Sequence, residues 1–154
     1  MHIKVFAIAG KPATWLVESE QRYIKRLPRA WAFEMALMPP SRKQGEADQR
    51  KTDEWERLRK RVPNAARLIL LDERGKSLTS RQMADRLGVH KDQGGDLILA
   101  IGGPDGFSEA ARAAASEIWS LSSLTLPHEL ARLVLVEQLY RAHSILEGHP
   151  YHRD

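Results

Sequence analysis

The sequence predicts a single α/β domain with a largely parallel β-sheet, and three observations support this fold class. First, short apolar runs recur along the 154 residues, as expected for strands that are buried on both faces. Second, segments with a helical spacing of apolar residues separate these runs. Third, the chain is long enough for one ordinary core and too short for two. Strands and helices therefore alternate within one domain that spans residues 1–154.

The N-terminal part predicts a strand, a helix, a second strand and a second helix. The apolar run 3–9 ends at a glycine and predicts the first strand. Helical spacing of apolar residues then predicts a helix, with Thr14 as its N-cap. Alternation of apolar residues over 31–37, before two prolines, predicts the second strand. The polar segment 41–61 favours a helix that has few apolar anchors.

The middle of the chain predicts two further strands, each followed by a helix. The apolar run 68–71 predicts a buried strand, and a polar loop is expected over 72–77. Thr79 and Gln82 have the spacing of a capping box, which predicts that a helix begins there. The run 97–101 predicts the next strand, and a glycine-rich turn after it leads to a helix that a serine can cap.

The last third predicts a short strand, a polar loop and a long apolar helix. Residues 118–121 form the expected strand, and the loop continues to Pro127. Proline suits the first position of a helix, and Gly148 suits its far end. Apolar residues occupy most of the circumference of this helix. We therefore expect the helix to be covered on most sides.

The composition excludes several classes of protein. The chain has no cysteine, which excludes disulfide frameworks and thiolate metal sites and agrees with a reducing compartment. An early lysine and a short apolar run argue against an N-terminal signal peptide, and no apolar segment is long enough to span a bilayer. We therefore expect a soluble, cytoplasmic protein that has no membrane partner.

Positive charge is concentrated in the first part of the chain. Residues 1–66 contain 14 of the 24 Lys and Arg residues but only 8 of the 20 Asp and Glu residues, a net charge of +6. The remaining 10 basic and 12 acidic residues give residues 67–154 a net charge of −2. A basic surface can bind the phosphates of a nucleic acid. The same residues can instead form a solvated helix face, because acidic residues are mixed among them. The charge pattern leaves both interpretations open.

Three polar segments, 72–77, 102–106 and 120–127, each follow a predicted buried strand. In parallel sheets ligands bind at the carboxyl ends of the strands, so these segments predict the binding site. The glycines of 102–106 lack the G-x-G-x-x-G order, and a proline among them removes one N–H group. This pattern argues against a dinucleotide site, and a tight strand-to-helix turn is the simpler interpretation.

Other catalytic motifs are incomplete or missing in this sequence. The segment 75–77 resembles the end of a phosphate-binding loop, but a leucine stands where that loop needs its first glycine. The six histidines show no metal-binding spacing, so we expect no metal site, and no G-x-S-x-G motif provides a serine nucleophile. Glu137 and Arg141 have the spacing of a helical ion pair. On so apolar a helix, such charges either pair with each other or line a site.

Five motifs together resemble one known family. They are Leu71-Asp72-x-x-Gly75-Lys76, Ile101-Gly102-Gly103-Pro104-Asp105-Gly106, Ser120-Leu121-Ser122-x-Leu124-Thr125-Leu126-Pro127-His128, Glu137-Gln138-Leu139-Tyr140-Arg141-Ala142 and Pro150-Tyr151-His152. Their order and spacing, and the total length, are similar to the ribosomal RNA large subunit methyltransferase H family. The resemblance covers essentially the whole chain. Each motif is weak alone, but the combination is specific.

The resemblance implies a SPOUT-type fold, in which a mostly parallel sheet is flanked by helices and the C-terminal part forms a trefoil knot, within a homodimer. Knots are rare, and periodicity alone does not predict one. Members of this family use S-adenosylmethionine to methylate N3 of a pseudouridine in the helix 69 loop of 23S rRNA, on the assembled ribosome. We expect the same cofactor and the same RNA partner here. Two alternatives are a SPOUT methyltransferase for another RNA such as tRNA, and a non-catalytic ribosome-binding module.

The resemblance also implies two sets of site residues. Contacts with the cofactor, mostly through the backbone, are expected from Leu71, Gly103, Ser122, Ser123, Leu124, Thr125, Leu126 and Pro127. The residues expected near the target nucleotide are His128, Arg132, Arg141, Tyr151, His152 and Arg153. Methyl transfer requires alignment of donor and acceptor more than a protein nucleophile. The N3 proton can leave to His128, His152 or water. Each arginine can stabilise the developing anion, hold phosphates or form a structural ion pair.

Overall fold

The computed structural model describes residues 1–153 and has helices on both faces of a central sheet, which confirms the predicted fold class. The strands are β1 (His2–Ile8), β2 (Glu34–Met38), β3 (Arg67–Ser77), β4 (Asp96–Ile101) and β5 (Glu117–Ser120). The α-helices are α1 (Thr14–Ile24), α2 (Ala47–Arg59), α3 (Ser80–Gln93), α4 (Glu109–Ala114) and α5 (His128–Leu146). A short 3-10 helix, Arg29–Trp31, precedes β2.

The sheet is parallel throughout and has the strand order β2-β1-β4-β3-β5. Its register places Leu71 of β3 beside Ile101 of β4 and beside Trp119 of β5. The chain reaches β5 by passing across β3, so β3 lies between two strands that follow it in sequence. This order brings the segments that follow β4 and β5 to the same edge of the sheet, next to the middle of β3.

Two apolar clusters cover the two faces of the sheet. Successive residues of β3 point to opposite clusters: Ile69 belongs to the cluster under α3 and α5, and Leu70 belongs to the cluster under α2 and α4. Residues Leu97 to Ile101 of β4 are each at most 5% exposed. Burial on both faces explains why these strands are uninterrupted apolar runs in the sequence. Helix α5 packs against both α1 and α3.

Two predictions near the N-terminus were wrong in detail. Thr14 is the first residue of α1, whereas the N-cap is Ala13, which makes no capping side-chain hydrogen bond. The alternating segment 31–37 is not all strand, because Trp31 ends the 3-10 helix and β2 begins three residues later. Ala32 between them has a φ of 42°, in the left-handed region, which ends the 3-10 turn and redirects the chain into β2. Trp31 is buried although its backbone is not extended. The alternation of apolar residues therefore indicated which side chains are buried and not where the strand begins.

The predicted loop 72–77 was also wrong, because these residues belong to β3. The pairing of β3 with β5 shifts register between Leu71 and Lys76, so the polar residues form a bulge inside the strand. At Gly75, a Cβ atom would lie 2.7 Å from the backbone carbonyl carbon and oxygen of Ile118. Only glycine permits this approach of the two backbones, and the glycine that suggested a loop is therefore a packing requirement.

The helix boundaries confirm several of the predicted caps. Thr79 and Gln82 form the reciprocal hydrogen bonds of a capping box at the start of α3. Ser108 caps α4 by accepting a hydrogen bond from the backbone N–H of Ala111, with 3.2 Å between nitrogen and oxygen. Pro127 was expected inside α5 but is its N-cap, and the helix begins at His128.

Helix α5 is not covered over all of its apolar surface within the single chain. Leu135 and Leu139 are fully buried against the sheet. Leu130, in the first turn, is 42% exposed, and several other apolar side chains of this helix are only half-buried. One face of α5 therefore lies in the core of the chain, and part of its apolar surface remains accessible.

Candidate active site

A cavity of about 450 Å³ lies where β3 bulges and where β4 and β5 end. Three chain segments form its walls. They correspond to segments 72–77, 102–106 and 120–127, which were predicted to form the binding site because each follows a buried run. The lining residues are Leu71, Asp72, Glu73, Arg74, Ile101, Gly102, Gly103, Pro104, Asp105, Gly106, Phe107, Arg112, Ser120, Leu121, Ser122, Leu124, Thr125, Leu126, Pro127, His128 and Ala131. The volume is within the range of about 300–1,000 Å³ that is typical of small-molecule sites.

The glycine-rich turn after β4 forms one wall of the cavity. Gly106 donates a backbone hydrogen bond to the carbonyl of Gly103, with 3.0 Å between nitrogen and oxygen, and this bond closes the turn. A Cβ atom at Gly103 would lie 3.1 Å from Oε1 of Glu54 and 3.2 Å from Cγ2 of Ile8. The backbone of the turn is therefore held close against α2 and β1, and it leaves its other side to the cavity.

The loop after β5 forms the opposite wall and is held by serine side chains. Ser120 donates a hydrogen bond from Oγ to the carbonyl of Ser122, with 3.0 Å between the oxygens. Oγ of Ser122 in turn accepts a hydrogen bond from the backbone N–H of Leu124, at 2.9 Å. The side chain of Leu124 is 76% exposed. These local bonds shape the loop, and its remaining backbone groups can meet a ligand.

Two ion pairs neutralise two of the three carboxylates that line the cavity, Asp72 and Asp105. Asp72 accepts hydrogen bonds from Nε and Nη2 of Arg112, at 3.2 and 2.8 Å. Asp105 accepts hydrogen bonds from Nε and Nη2 of Arg50, at 2.8 and 3.2 Å. Arg50 holds the pKa of Asp105 below its ordinary value, and Asp72 raises the pKa of Arg112. Both carboxylates are therefore engaged within the chain, and neither is a free acid or base at the cavity.

Glu54 lies behind the glycine turn and is almost completely buried. Its Oε2 accepts a hydrogen bond from the backbone N–H of Ser41, at 2.8 Å, which ties the segment before α2 to that helix. Its Oε1 has no hydrogen-bond partner among residues 1–153. Burial raises the pKa of Glu54, and the Ser41 hydrogen bond lowers it by less. The carboxyl group therefore supports the turn from within the protein.

The cavity brings together most of the residues that the sequence linked to a cofactor. Seven of those eight residues line it: Leu71, Gly103, Ser122, Leu124, Thr125, Leu126 and Pro127. Ser123 lies in the same loop but does not line the cavity. Sequence reasoning missed Arg50 and Arg112, which pair with carboxylates of the lining. No local pattern marks either arginine, because its partner lies 55 or 40 residues away in the chain.

The residues expected near a target nucleotide fall into separate places within this chain. His128 alone among them lines the cavity. Arg132 is buried in an ion pair with Glu20 of α1, with 2.6 Å between Nη2 and Oε1. The remaining members lie at or beyond the second half of α5: Arg141, Tyr151, His152 and Arg153.

A second cluster holds the C-terminal residues against α5. Oε1 of Glu137 accepts hydrogen bonds from the hydroxyl of Tyr151, at 3.0 Å, and from Nη2 of Arg141, at 2.6 Å. The rings of Tyr140 and Tyr151 meet edge to face, with 4.6 Å between their centroids. Glu137 follows His128 by nine residues, or about 13 Å along the helix. Within one chain, this cluster is therefore separate from the cavity.

Two classes of feature are absent from the described part of the chain. No helix within residues 1–153 is long and apolar enough to cross a membrane. Across the same residues, no three His, Cys, Asp or Glu side chains are grouped so that they could hold a metal ion.

Comparison with known proteins relates this chain to a class of enzymes. Residues 1–152 match a family described as "Predicted SPOUT methyltransferase". The parallel α/β fold agrees with this match, and the chain belongs to the SPOUT class of methyltransferases.

Individual relatives define the family more narrowly. Proteins named ribosomal RNA large subunit methyltransferase H from Nitrosococcus oceani and Brucella anthropi are 43% and 46% identical to this chain, and each match covers 99% of both proteins. The protein of that name from Hahella chejuensis is 41% identical over the full length of both chains. The chain therefore belongs to the ribosomal RNA large subunit methyltransferase H family.

Proposed function

We propose that this protein transfers a methyl group from S-adenosylmethionine to N3 of a pseudouridine in the helix 69 loop of 23S rRNA, within the assembled ribosome. The observation that carries this proposal is the cavity, because its walls are the glycine turn after β4 and the loop after β5. These two segments contain two of the five motifs that resemble the family. The proposal places the reaction in the cytoplasm, where assembled ribosomes are found.

The chain's residues fit the proposed cofactor in size and in chemistry. A cavity of about 450 Å³ can hold a nucleoside with a short amino-acid chain. Backbone groups of Gly103 and of residues 122–127 would hold it, and Leu71 would supply apolar contact. Two of the three lining carboxylates, Asp72 and Asp105, are already paired with arginines. When bound, S-adenosylmethionine supplies a methyl group on a positively charged sulfur.

The proposed role of the chain is to align the reacting groups and to allow one proton to leave the acceptor nitrogen. Holding the donor and acceptor in line accounts for most of the catalysis that such a reaction needs. The pseudouridine N3–H must lose its proton, and His128, which lines the cavity, His152 or water can accept it. Arg141, Arg153 or both would contact phosphates or the developing negative charge. Arg132 is the least accessible of the arginines, because Glu20 already binds it.

We also propose that the working unit is a homodimer with a knotted C-terminal part. Within one chain the C-terminal cluster around Tyr151 lies about 13 Å along α5 from the cavity-lining His128, by the rise of the helix. A second copy could bring its C-terminal residues to this cavity, and the accessible apolar residues Leu124 and Leu130 support such an association. The knot would form where α5 passes through the loops that bound the cavity.

Transfer of a labelled methyl group tests this proposal. The purified protein and tritiated S-adenosylmethionine are incubated in three separate reactions. One contains 70S ribosomes, one contains free 23S rRNA and one contains tRNA. We expect label in the ribosomes, and mass spectrometry should map it to N3 of one pseudouridine in helix 69. Label in tRNA alone would overturn the proposed substrate and favour a SPOUT methyltransferase for another RNA.

Binding of the cofactor separates an enzyme from a non-catalytic module. Isothermal titration calorimetry with S-adenosylmethionine should show saturable binding to the protein with or without ribosomes. A Ser122→Trp variant, which fills the cavity, should abolish that heat without unfolding the chain. Absence of binding to the unmodified protein, even with ribosomes present, would leave only a ribosome-binding role.

A further inference from the structure

Glu137 is the centre of a hydrogen-bond cluster at the C-terminal end of the chain. Its Oε1 accepts hydrogen bonds from Nε and Nη2 of Arg141, at 3.0 and 2.6 Å, and from the hydroxyl of Tyr151, at 3.0 Å. Its Oε2 accepts a hydrogen bond from Nε2 of Gln138, at 2.6 Å. One half-buried carboxylate therefore joins two residues that the proposed function places near the RNA.

The cluster extends from the C-terminal segment to the start of α3. Oε1 of Gln138 accepts a hydrogen bond from Oγ of Ser80, the first residue of α3, at 2.5 Å. A continuous chain of hydrogen bonds thus leads from Ser80 through Gln138 and Glu137 to Tyr151. Because α3 and α5 pack on the same face of the sheet, this chain ties the C-terminal segment to the rigid part of the fold.

The chain beyond α5 is turned so that Tyr151 reaches this carboxylate. The backbone N–H of His149 donates to the carbonyl of Ser144, at 2.8 Å, and the backbone N–H of Tyr151 donates to Nδ1 of His149, at 3.2 Å. The ring of Tyr151 lies against Tyr140, and the guanidinium of Arg141 lies 5.0 Å from its centroid. These contacts set the plane of the ring, and Glu137 sets the position of its hydroxyl.

Burial and the neighbouring carboxylate keep the donors of the cluster protonated. Burial raises the pKa of Tyr151 to about 12, with further upward contributions from Glu137 and Tyr23 and an opposing one from Arg141. The hydrogen bond from Arg141 to Glu137 likewise raises the pKa of that guanidinium. At neutral pH Tyr151 is therefore a neutral donor and Arg141 a cation.

We propose that Glu137 is a positioning residue for methyl transfer: it holds Tyr151 and Arg141, and with them residues 149–153, in the arrangement that receives the target nucleotide. This inference rests on the proposed function, because it assigns that function's RNA-contacting residues a common support. A carboxylate that only stabilised α5 would need one partner on the same helix. Glu137 instead binds Arg141 and Gln138 on its own helix and also Tyr151, which lies beyond the end of that helix.

Steady-state kinetics with a double-mutant cycle tests this role. We expect Glu137→Gln to lower kcat about tenfold, since hydrogen bonds to a charged group of this kind contribute on that scale. The KM for S-adenosylmethionine should stay unchanged, because Glu137 does not line the cavity. Tyr151→Phe alone should also lower kcat, and the double variant should be no slower than the slower single variant.

A matched control removes a carboxylate of the same kind elsewhere. Glu56 accepts a hydrogen bond from Arg59 on α2, at 2.7 Å. Glu56→Gln therefore breaks a helical ion pair without touching the C-terminal cluster, and we expect it to leave kcat unchanged. The proposal would be overturned if the double variant lowered kcat by the product of the two single effects. A wild-type kcat for Glu137→Gln would also overturn it.

A spectroscopic titration tests the contact without any measurement of activity. The ultraviolet absorbance of tyrosinate is followed with pH, and subtraction of the Tyr151→Phe curve isolates Tyr151. We expect its pKa to fall from about 12 toward its ordinary value of 10.0 in Glu137→Gln. An unchanged pKa would show that Glu137 does not hold the hydroxyl. Failure of the wild-type protein to methylate any RNA would instead count against the proposed function and leave this titration valid.

Discussion

Glu20 of α1 and Arg132 of α5 form an ion pair whose two residues are only 2% and 4% exposed. Burial raises the pKa of Glu20, and Arg132 opposes this shift. Arg132 lies about one helical turn after the cavity-lining His128. The pair therefore fixes the beginning of α5, and with it one edge of the cavity, to the first helix of the chain.

Removal of one partner of this pair should destabilise the fold. We expect Glu20→Ala to lower the free energy of unfolding by about 3–5 kcal/mol, because the guanidinium of Arg132 would stay buried without a counter-charge. Replacing both residues, by Glu20→Leu with Arg132→Met, should recover most of this loss. Urea unfolding followed by circular dichroism measures both effects. A Glu20→Ala variant as stable as the wild type would show that the pair does not anchor α5.

Glu54 should make the stability of the protein depend on pH in a defined direction. Burial raises its folded-state pKa above the ordinary value of 4.5, so the folded protein binds the proton more tightly than the unfolded chain. This contribution to stability is fully present below pH 4.5 and is lost as the pH rises through the folded-state pKa.

Glu54→Gln mimics the neutral carboxyl group and removes that dependence. We therefore expect the free energy of unfolding of Glu54→Gln, relative to that of the wild type, to increase from acidic to neutral pH. Urea unfolding at a series of pH values measures the difference. The Glu56→Gln variant, on the same helix, controls for the loss of one carboxylate. A relative stability of Glu54→Gln that decreases with pH would contradict this expectation.

Gly75 should tolerate no side chain. We expect Gly75→Ala to lower the free energy of unfolding by about 1–3 kcal/mol, the scale of overpacking, because its Cβ would meet backbone atoms of Ile118 and Trp119 at 2.7 Å. Relief of this contact would move β5 away from β3 and widen the cavity. Thermal unfolding and cofactor titration measure the two consequences. Gly10→Ala is the matched control, since nothing lies within 4 Å of its Cβ position.

Charge in the exposed apolar surface of α5 should disrupt the proposed homodimer. Leu130 is 42% exposed, so Leu130→Arg can fold as a single chain, but an interface there would have to bury the new charge. We expect the dimer dissociation constant to rise at least about tenfold, as measured by sedimentation velocity. Val89→Arg on α3, where the valine is 54% exposed, should leave the association unchanged. Equal association of both variants would exclude this face of α5.

The C-terminal segment should be needed for methyl transfer and not for folding. Removal of residues 151–154 deletes Tyr151, His152 and Arg153, together with Asp154, which lies outside the described residues. We expect a folded protein that still binds S-adenosylmethionine, because Tyr151, His152 and Arg153 do not line the cavity. Methyl transfer to ribosomes should fall to a small fraction of the wild-type rate. Full activity of the shortened chain would show that the segment is only a terminus.

Local patterns in the sequence predicted the features that depend on neighbouring residues. Burial on both faces produces the apolar runs of β1 and β4, which can be recognised without knowledge of their partners. The capping box of Thr79 and Gln82 spans one helical turn and was confirmed for the same reason. Prediction was wrong at 72–77, because a bulged strand contains polar residues and glycine just as a loop does.

Long-range pairing was beyond these local patterns. Arg50 and Arg112 bind carboxylates of the cavity across 55 and 40 residues, and Arg132 is held by a glutamate of the first helix. Each arginine could equally have been a solvated charge or an RNA contact. Their different partners follow from the strand order and from the packing of helices on either face of the sheet.

By itself the sequence determined the fold class, the family and the segments that bound the cavity, because periodicity, chain order and motif spacing are properties of the chain alone. Only the tertiary structure decided which charges are engaged. It placed His128 at the cavity, buried Arg132 against Glu20 and joined Arg141 to Tyr151 through Glu137. The physical reason is that the energy of a charged side chain depends on its burial and on its partner, and both are set by residues that are distant in the sequence.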